Sequence, residues 1–321
     1  MHVRPFGRLG WPVSEVGYGL WGMGGWTGSN DHESVAALER AIALGCTFFD
    51  TALAYGNGKS EQLLGRVLAG HRDAKLFVAT KIPPKNAKWP GAASDAASDV
   101  FPADHIRRST ETSLTNLGLT SVDLQQAHVW SDAWAADDGW QRAVDDLKRE
   151  GLIRAFGISV NRWEPANVLA ALRTGLVDSV QVVYNVFDQD PEDELFPACR
   201  ELGAAVIARV PFDEGSLTGA MRRGMTWPAG DWRNLYFTPE RLDETLMRVE
   251  AIRADVPPGM TLPELALRFI LGNQDVSTVI PGMRRPTHVE SNLAVSDDRR
   301  LSKETMASLR RHRWTRTYVV V

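Results

Sequence analysis

An α/β fold, a (β/α)8 TIM barrel with a short N-terminal β-hairpin and a C-terminal helix, is predicted by three observations on this chain of 321 residues. Short β-rich apolar runs alternate with helical patterns from near residue 16 almost to the end. Glycines recur where most of the helices should stop, and no Gly/Ser/Pro-rich linker divides the chain. Eight β/α units closing on themselves fit this regularity better than an open doubly wound sheet with a second domain. Residues 1–321 are therefore read as one barrel domain.

The elements follow in order. Residues 3–6 and 13–16 flank Gly7-Arg8-Leu9-Gly10 and read as a hairpin able to plug the barrel's N-terminal end. Strand candidates lie at 16–21, 46–50, 76–81, 122–128, 153–159, 179–184, 205–210 and 276–280. Helical patterns between them cover 32–44, 60–68, 103–117, 139–149, 164–173, 191–202, 239–254 with 262–271, and 286–295. Asn30 or Asp31 can cap the first helix, and Pro102 and Pro191 suit a first helical turn. Gly45, Gly118, Gly151, Gly175 and Gly203 stand where helices end. A terminal helix at 302–312 is expected outside the barrel.

Composition narrows the function classes. Hydrophobic residues make up 44% and the net charge is −4, so the basic excess of a nucleic-acid binder is missing. Any acidic small ligand must then be held by local arginines. The first residues carry charge and proline where a secretory peptide needs an apolar run, and no stretch approaches membrane-spanning length. A cytoplasmic location is the expectation. Cys46 and Cys199 read as two buried thiols, and the scattered histidines, without HExxH, give no reason to expect a metal.

The chemistry gathers at strand ends. Phe48-Phe49-Asp50-Thr51-Ala52-Leu53-Ala54-Tyr55-Gly56 places an acid and a phenol just past an apolar run, while Lys81 and His128 end two others. In a barrel of this kind such ends converge on one site. A tyrosine, with an ordinary pKa of about 10, donates a proton readily near neutrality only if a cation stabilises its phenolate; Lys81 is the candidate cation. Asp50 would keep that buried ammonium charged, and His128 would orient a carbonyl oxygen. Ser60 and Glu61 read instead as helix-cap and packing residues.

The same stretch, continuing through Ser60-Glu61 and Gly65, resembles the Asp-Thr-Ala-x-x-Tyr-Gly signature of the aldo-keto reductase superfamily, in its bacterial-type branch. Lys81, His128, Gly157-Ile158-Ser159, Gln181 and Ile280-Pro281-Gly282 also fall where that family carries motifs. The resemblance implies an oxidoreductase that uses NADPH/NADP+ and reduces aldehyde or ketone carbonyls to alcohols. Hydride would come from C4 of the nicotinamide and the proton from Tyr55, with Lys81 lowering the phenol's pKa, Asp50 pairing with Lys81 and His128 positioning the carbonyl.

No GxGxxG follows the first strand, so the resemblance lays the dinucleotide across the barrel mouth. It implies cofactor contacts from Leu20, Trp21 and Asp50, with Ser159 and Gln181 on the carboxamide. Where the family often has Ser-Asn, this chain reads Ser159-Val160-Asn161. At the end of the seventh strand Arg209 replaces an aromatic platform; its guanidinium can pack against a ring or pair with a carboxylate. The run from Pro211 and Phe212 through Gly215 is similar to a pyrophosphate-covering loop, and Arg233 to a phosphate-contacting arginine. Gly282, Arg284, His288 and Asn292 stand where the family holds the adenosine 2′-phosphate, which implies NADPH over NADH. Ser291 replaces an acid that contacts adenine in some relatives.

Tryptophan is abundant, at 11 residues, and Trp21, Trp26, Trp89 and Trp130 fall near strand ends. The substrate pocket is accordingly placed at Trp21, Tyr55, Trp89, His128 and Trp130, an aromatic funnel for a hydrophobic or aromatic carbonyl compound or a sugar. Residues 83–101 read as a flap over the site or a solvated excursion. Two other functions stay open: a nicotinamide-sensing regulatory protein with little turnover, and a barrel isomerase or hydrolase using the same groups. The expected partner is a small carbonyl substrate, with no nucleic acid and no membrane; the oligomeric state is left open.

Overall fold

The computed structural model describes residues 1–25 and 28–316; Trp26 lies outside the described residues. The chain opens with an antiparallel pair, β1 (Val3–Phe6) and β2 (Trp11–Ser14), joined through a short 3-10 turn. Eight parallel strands follow: β3 (Tyr18–Gly19), β4 (Phe48–Asp50), β5 (Phe77–Ile82), β6 (Val122–Ala127), β7 (Ile153–Ser159), β8 (Ser179–Val183), β9 (Ala205–Arg209) and β10 (Val276–Val279). Each pairs with the next in chain order. Parallel bridges from Val16 to Val279 and from Gly19 to Gly282 bring the first and last strands together, which makes the sheet a barrel.

Helices alternate with these strands: α1 (Asp31–Ala43), α2 (Lys59–Leu68), α3 (Ala97–Val100), α4 (Ala103–Leu117), α5 (Asp138–Arg149), α6 (Leu169–Arg173), α7 (Leu195–Leu202), α8 (Arg233–Tyr236), α9 (Pro239–Arg253), α10 (Leu262–Leu271), α11 (Pro286–Leu293) and α12 (Lys303–Arg310). α3 and α8 are single turns inside longer loops. Asn30 caps α1 by accepting from the Glu33 N–H, and Ser302 caps α12 in the same way.

Both faces of the barrel strands are buried, which is why they read as nearly continuous apolar runs. The inner face supplies Phe48, Phe77, Ala79, Leu124, Ala155, Ala205 and Ile207, and the hairpin closes this cluster from below with Phe6 and Val13. Phe6 stacks on Phe48 at 5.5 Å and on Trp11 at 5.6 Å. Two arginines fasten the hairpin: Arg4 donates to the carbonyls of Asn273 and Val276, both at 2.9 Å, and Arg8 to Asp178 at 2.7 Å.

Three elements are shorter than the sequence implies. β3 covers only two of the six residues expected, because Trp21–Met23 turns into a 3-10 segment and the seam with β10 is held by backbone at close range. A Cβ on Gly19 would stand 2.7 Å from the Ile280 carbonyl oxygen. α6 begins at Leu169 rather than 164, since the Asp132 carboxylate accepts from the N–H groups of Ala170 and Ala171 and fixes the helix start there. α7 begins at Leu195, after a separate 3-10 turn at Asp190–Glu192. Cys46 and Cys199 are free and buried, and burial pushes both thiols up to about 12. Among the described residues no helix is long and apolar enough to cross a membrane.

The barrel seam gives a direct test. Gly19→Ala should cost about 1–3 kcal/mol of stability, because the new methyl meets backbone that cannot give way. Urea unfolding measures it, and an unchanged midpoint would mean that the seam relaxes.

Candidate active site

Asp50 is the last residue of β4, Lys81 the next to last of β5, and His128 follows β6 directly, so three strand ends converge at the barrel's C-terminal mouth. Tyr55 reaches the same place from the turn after β4. Its N–H donates to the Ala52 carbonyl at 3.0 Å. The next residue, Gly56, has φ +61° and lies against Gly24, where a Cβ would come within 2.4 Å of the carbonyl oxygen. Only glycine permits that contact, and the contact fixes where Tyr55 points.

Lys81 is fully buried and Asp50 is 2% exposed. The ammonium donates to Asp50 Oδ1 at 2.5 Å, to the Thr51 carbonyl at 2.8 Å and to the Tyr55 hydroxyl at 3.3 Å. Asp50 Oδ2 accepts from Gln181 at 2.8 Å and from Gln126 at 3.1 Å. Burial works against the Lys81 charge, but Asp50 and Tyr55 outweigh it and hold the ammonium above its ordinary pKa. For Tyr55 the balance differs from the expected net lowering. Burial raises the phenol's pKa, Lys81 opposes that rise, and Asp50 cancels part of the opposition, so the net displacement is upward. Tyr55 is therefore held as a neutral phenol, which is the form a proton donor needs. His128 is held well below its ordinary value by burial and by the positive charges of Lys81 and Arg209, so its imidazole is neutral. Its Nδ1 has no hydrogen-bond partner among the described residues.

These groups open on a cavity of about 280 Å³ lined by Tyr55, Trp89, Pro90, His128, Val129, Ser159, Val160, Asn161, Arg162, Gln181 and Arg209. Of the tryptophans expected there, Trp89 alone among the described residues lines the cavity beside Tyr55 and His128, its ring edge-on to His128 at 4.6 Å. Trp130 is turned away from the cavity, into the core. It is 1% exposed and packs edge-on against Trp134 at 5.7 Å and Trp140 at 5.2 Å, a burial worth more than a place on the rim. Trp21 is 42% exposed and meets Trp232 at 6.3 Å, outside the residues that line the cavity. Residues 83–101 are largely exposed but are tied down at two points: Asn161 Nδ2 donates to the Gly91 carbonyl at 3.0 Å, and Trp134 Nε1 to that of Asp95 at 2.8 Å.

The expected cofactor residues fall into two groups. Ser159, Gln181 and Arg209 are in the cavity, although the Gln181 amide nitrogen already serves Asp50. Leu20 is buried, with its carbonyl accepting from Ser60 and its N–H donating to Asp50 O. Pro211, Phe212 and Gly215 form a turn with left-handed backbone at Val210, Asp213, Glu214 and Gly215, an unusual density of positive φ for non-glycine residues. Away from the cavity, Arg284 opens the approach to α11 with Arg285, and the charges of Arg285 and Arg233 add to burial in lowering its pKa. His288 is lowered by burial and by Arg285 and Arg284. Arg233 pairs with Asp231 at 2.6 Å, Asn292 is buried in α11, and Gly282 bridges to Gly19. Arg284, Arg285 and His288 thus gather at one helix start under the influence of Glu33, with Arg233 near by and held by Asp231.

Several functional candidates escape a reading of the sequence. Gln126 precedes His128 by two positions on one strand, so the period-two rule puts both toward the barrel axis. Asn161 and Arg162 stand just past the end of β7, the kind of position that carries function in this fold. Arg162 donates to Glu214 at 2.6 Å and Asp213 at 3.0 Å, and Arg316, near the end of the described chain, to Asp213 at 2.8 Å and Asp188 at 2.5 Å. No local signal joins positions so far apart. Ser60 and Glu61 are structural: Ser60 bonds Thr51 and Leu20, and Glu61 accepts from Thr80 at 2.6 Å and Asn116 at 2.8 Å.

Comparison with known proteins places this geometry. A family model described as the aldo/keto reductase family matches residues 15–313. The NADH-specific methylglyoxal reductase of Escherichia coli is 27% identical over 307 residues, covering 92% of this chain and 93% of its own. The holo form of an aldo-keto reductase from Bacillus halodurans superposes with a TM-score of 0.78 at 26% identity, over 99% of this chain and 98% of that one. An aldo/keto reductase from Klebsiella pneumoniae, solved in complex with NADP and acetate, superposes at 0.72 with 25% identity, over 99% and 98%.

Lys81→Met tests the centre of the site. It leaves a buried carboxylate without its cation and should cost about 3–5 kcal/mol of stability in urea unfolding. Asp50→Asn in the same background should recover part of that loss; no recovery would show that the cost arises from packing and not from charge.

Proposed function

Because this chain belongs to the aldo/keto reductase family, we propose that it reduces aldehyde or ketone carbonyls to alcohols with NADPH, Tyr55 supplying the proton. The observation that carries the reading is the Tyr55 hydroxyl 3.3 Å from a buried ammonium, in a cavity that His128 also lines. The residues fit the cofactor at both ends. Ser159, Gln181 and Arg209 share the cavity with Tyr55, and the basic cluster of Arg284, Arg285, His288 and Arg233 offers a field suited to a phosphate.

When bound, reduced nicotinamide supplies a hydride to the carbonyl carbon. Tyr55, kept protonated by its surroundings, gives its proton to the carbonyl oxygen as negative charge develops there. Lys81 stabilises the phenolate left behind, and Asp50 keeps Lys81 charged and fixed in place. Neutral His128 turns a ring N–H toward the same oxygen and orients the substrate. Trp89, Pro90 and Val129 exclude water from one side of the cavity. The relative from Escherichia coli is named for NADH, so the preference for NADPH rests on this chain's own basic cluster.

Three outcomes are expected. Tyr55→Phe should lower kcat by about 10²–10⁴-fold, the range of a lost general acid, while cofactor fluorescence reports NADPH binding close to that of the parent. Full activity in that variant would remove the acid assignment, and binding without turnover in the parent would favour the sensor. The rate of reduction should stay level through neutrality and decline only as pH rises beyond the ordinary phenol value of about 10, since the Tyr55 pKa is displaced upward. Arg284→Ala should weaken NADPH at least about tenfold more than NADH, the effect of one charge-assisted contact. Equal losses would place the 2′-phosphate elsewhere.

A further inference from the structure

We propose that the substrate is a short aldehyde or ketone that also carries a carboxylate, received in the cavity by Arg209 with Arg162 beside it. The inference rests on the reductase reading above and names its substrate class.

Arg209 brings to the cavity a donor, Nε, that nothing among the described residues accepts from. Two guanidinium groups line the cavity together with Tyr55 and His128. The acids around them are already engaged. Asp50 is held by Lys81, Gln126 and Gln181. Glu214 is held by Arg162, and Asp213 and Asp188 are shared between Arg162 and Arg316. Three carboxylates thus face two guanidinium groups, and the charge left over acts on Arg209 only from a distance, through Glu214; Arg209 itself has no ion pair among the described residues. One of its donors, Nη2, reaches the Val160 carbonyl at 3.1 Å, and its buried Nε has no partner. A guanidinium carries five N–H donors and cannot shed its charge by losing a proton. Removing it from water without an anion is costly, so a ligand that brings one is favoured.

Where the cofactor meets Arg209 it would bring no anion. Its reduced nicotinamide ring is uncharged, and its phosphates are assigned to the turn after β9 and to the basic cluster at α11. What remains for Arg209 is the substrate, and a carboxylate matches the planar fork of a guanidinium. The cavity of about 280 Å³ limits the molecule to a short one, because the nicotinamide occupies part of the same space. Trp89, Pro90 and Val129 provide an apolar wall for the carbons between the carbonyl and the acid. A protein of net charge −4 attracts no anion by its overall field, so such selectivity must be local.

Matched substrates test this. Steady-state reduction by the parent protein with NADPH is compared for 4-carboxybenzaldehyde against benzaldehyde, and for 4-oxobutanoate against butanal. The anionic member of each pair should be favoured in kcat/KM by about tenfold or more, the effect of one charge-assisted hydrogen bond. In Arg209→Gln the ratio should collapse toward one, whatever loss is common to both substrates, and Arg209→Lys should keep part of it. NADPH affinity of each variant is read by cofactor fluorescence. A ratio near one in the parent, with both aldehydes reduced, overturns the substrate class and leaves the reductase standing. An intact ratio in Arg209→Gln together with weakened NADPH binding also overturns it, because the counter-ion would then be the cofactor. No reduction of any aldehyde removes the reductase reading itself. A measurement on the parent alone covers the case of a variant that fails to fold: acetate should inhibit competitively with the aldehyde, acetamide at least about tenfold more weakly. Equal inhibition by the two would overturn the proposal.

Discussion

A fully buried ammonium, 2.5 Å from a carboxylate with almost no exposure, is the constraint around which the rest of the site is arranged. Neither charge is tolerable alone at that depth, and together they repay their desolvation only if every remaining donor and acceptor is used. The barrel meets that condition. Thr51 takes a second Lys81 proton through its carbonyl, Gln126 and Gln181 come from two further strands to the far oxygen of Asp50, and the third Lys81 proton is left for Tyr55. Among the groups that Lys81 itself touches, the phenol is thus the one that also faces the cavity. Four strands supply this arrangement, so the barrel's closure and the tyrosine's environment are a single structural requirement.

Much of the architecture is legible in the sequence because its signals are local. Glycine after most helices, capping residues before them and apolar runs between them gave eight β/α units in order, and all eight strands form. The failures occur where a distant group decides the boundary. Asp132 sets the start of α6 from another loop, and the backbone of β10 at close range confines β3. Site residues divide in the same way. Asp50, Lys81 and His128 could be read because each ends an apolar run, and Tyr55 because it follows one in the next turn, properties visible within about ten residues of sequence. Trp130 was misplaced for the corresponding reason: a tryptophan past a strand end looks like a rim residue until Trp134 and Trp140 are seen to enclose it.

The network of Arg162, Arg316, Asp188, Asp213 and Glu214 was the least legible feature and is central to the cavity's electrostatics. It joins the end of β7, the loop after β8, the turn after β9 and the C-terminal segment, which no periodicity relates. Its physical effect is to tie three carboxylates to two guanidinium groups, so that none of the three pairs directly with Arg209. It also braces a turn whose backbone is held in left-handed conformations at Asp213 and Glu214, strain that packed and paired surroundings are needed to maintain. A small rearrangement of that turn would redistribute charge along the cavity wall, so the turn's conformation and the field at Arg209 are coupled.

The hairpin beneath the barrel separates two kinds of work. Phe6 stacked against Trp11 and Phe48, with Arg4 and Arg8 fastened to the rim, gives the closed end its cohesion without contributing an atom to the site. The open end can then afford buried charge, strained backbone and an unpaired guanidinium, because foundations and workshop stand at opposite ends of the same eight strands. Substitutions can therefore accumulate in the workshop, changing what the protein handles, for as long as the foundations carry the load.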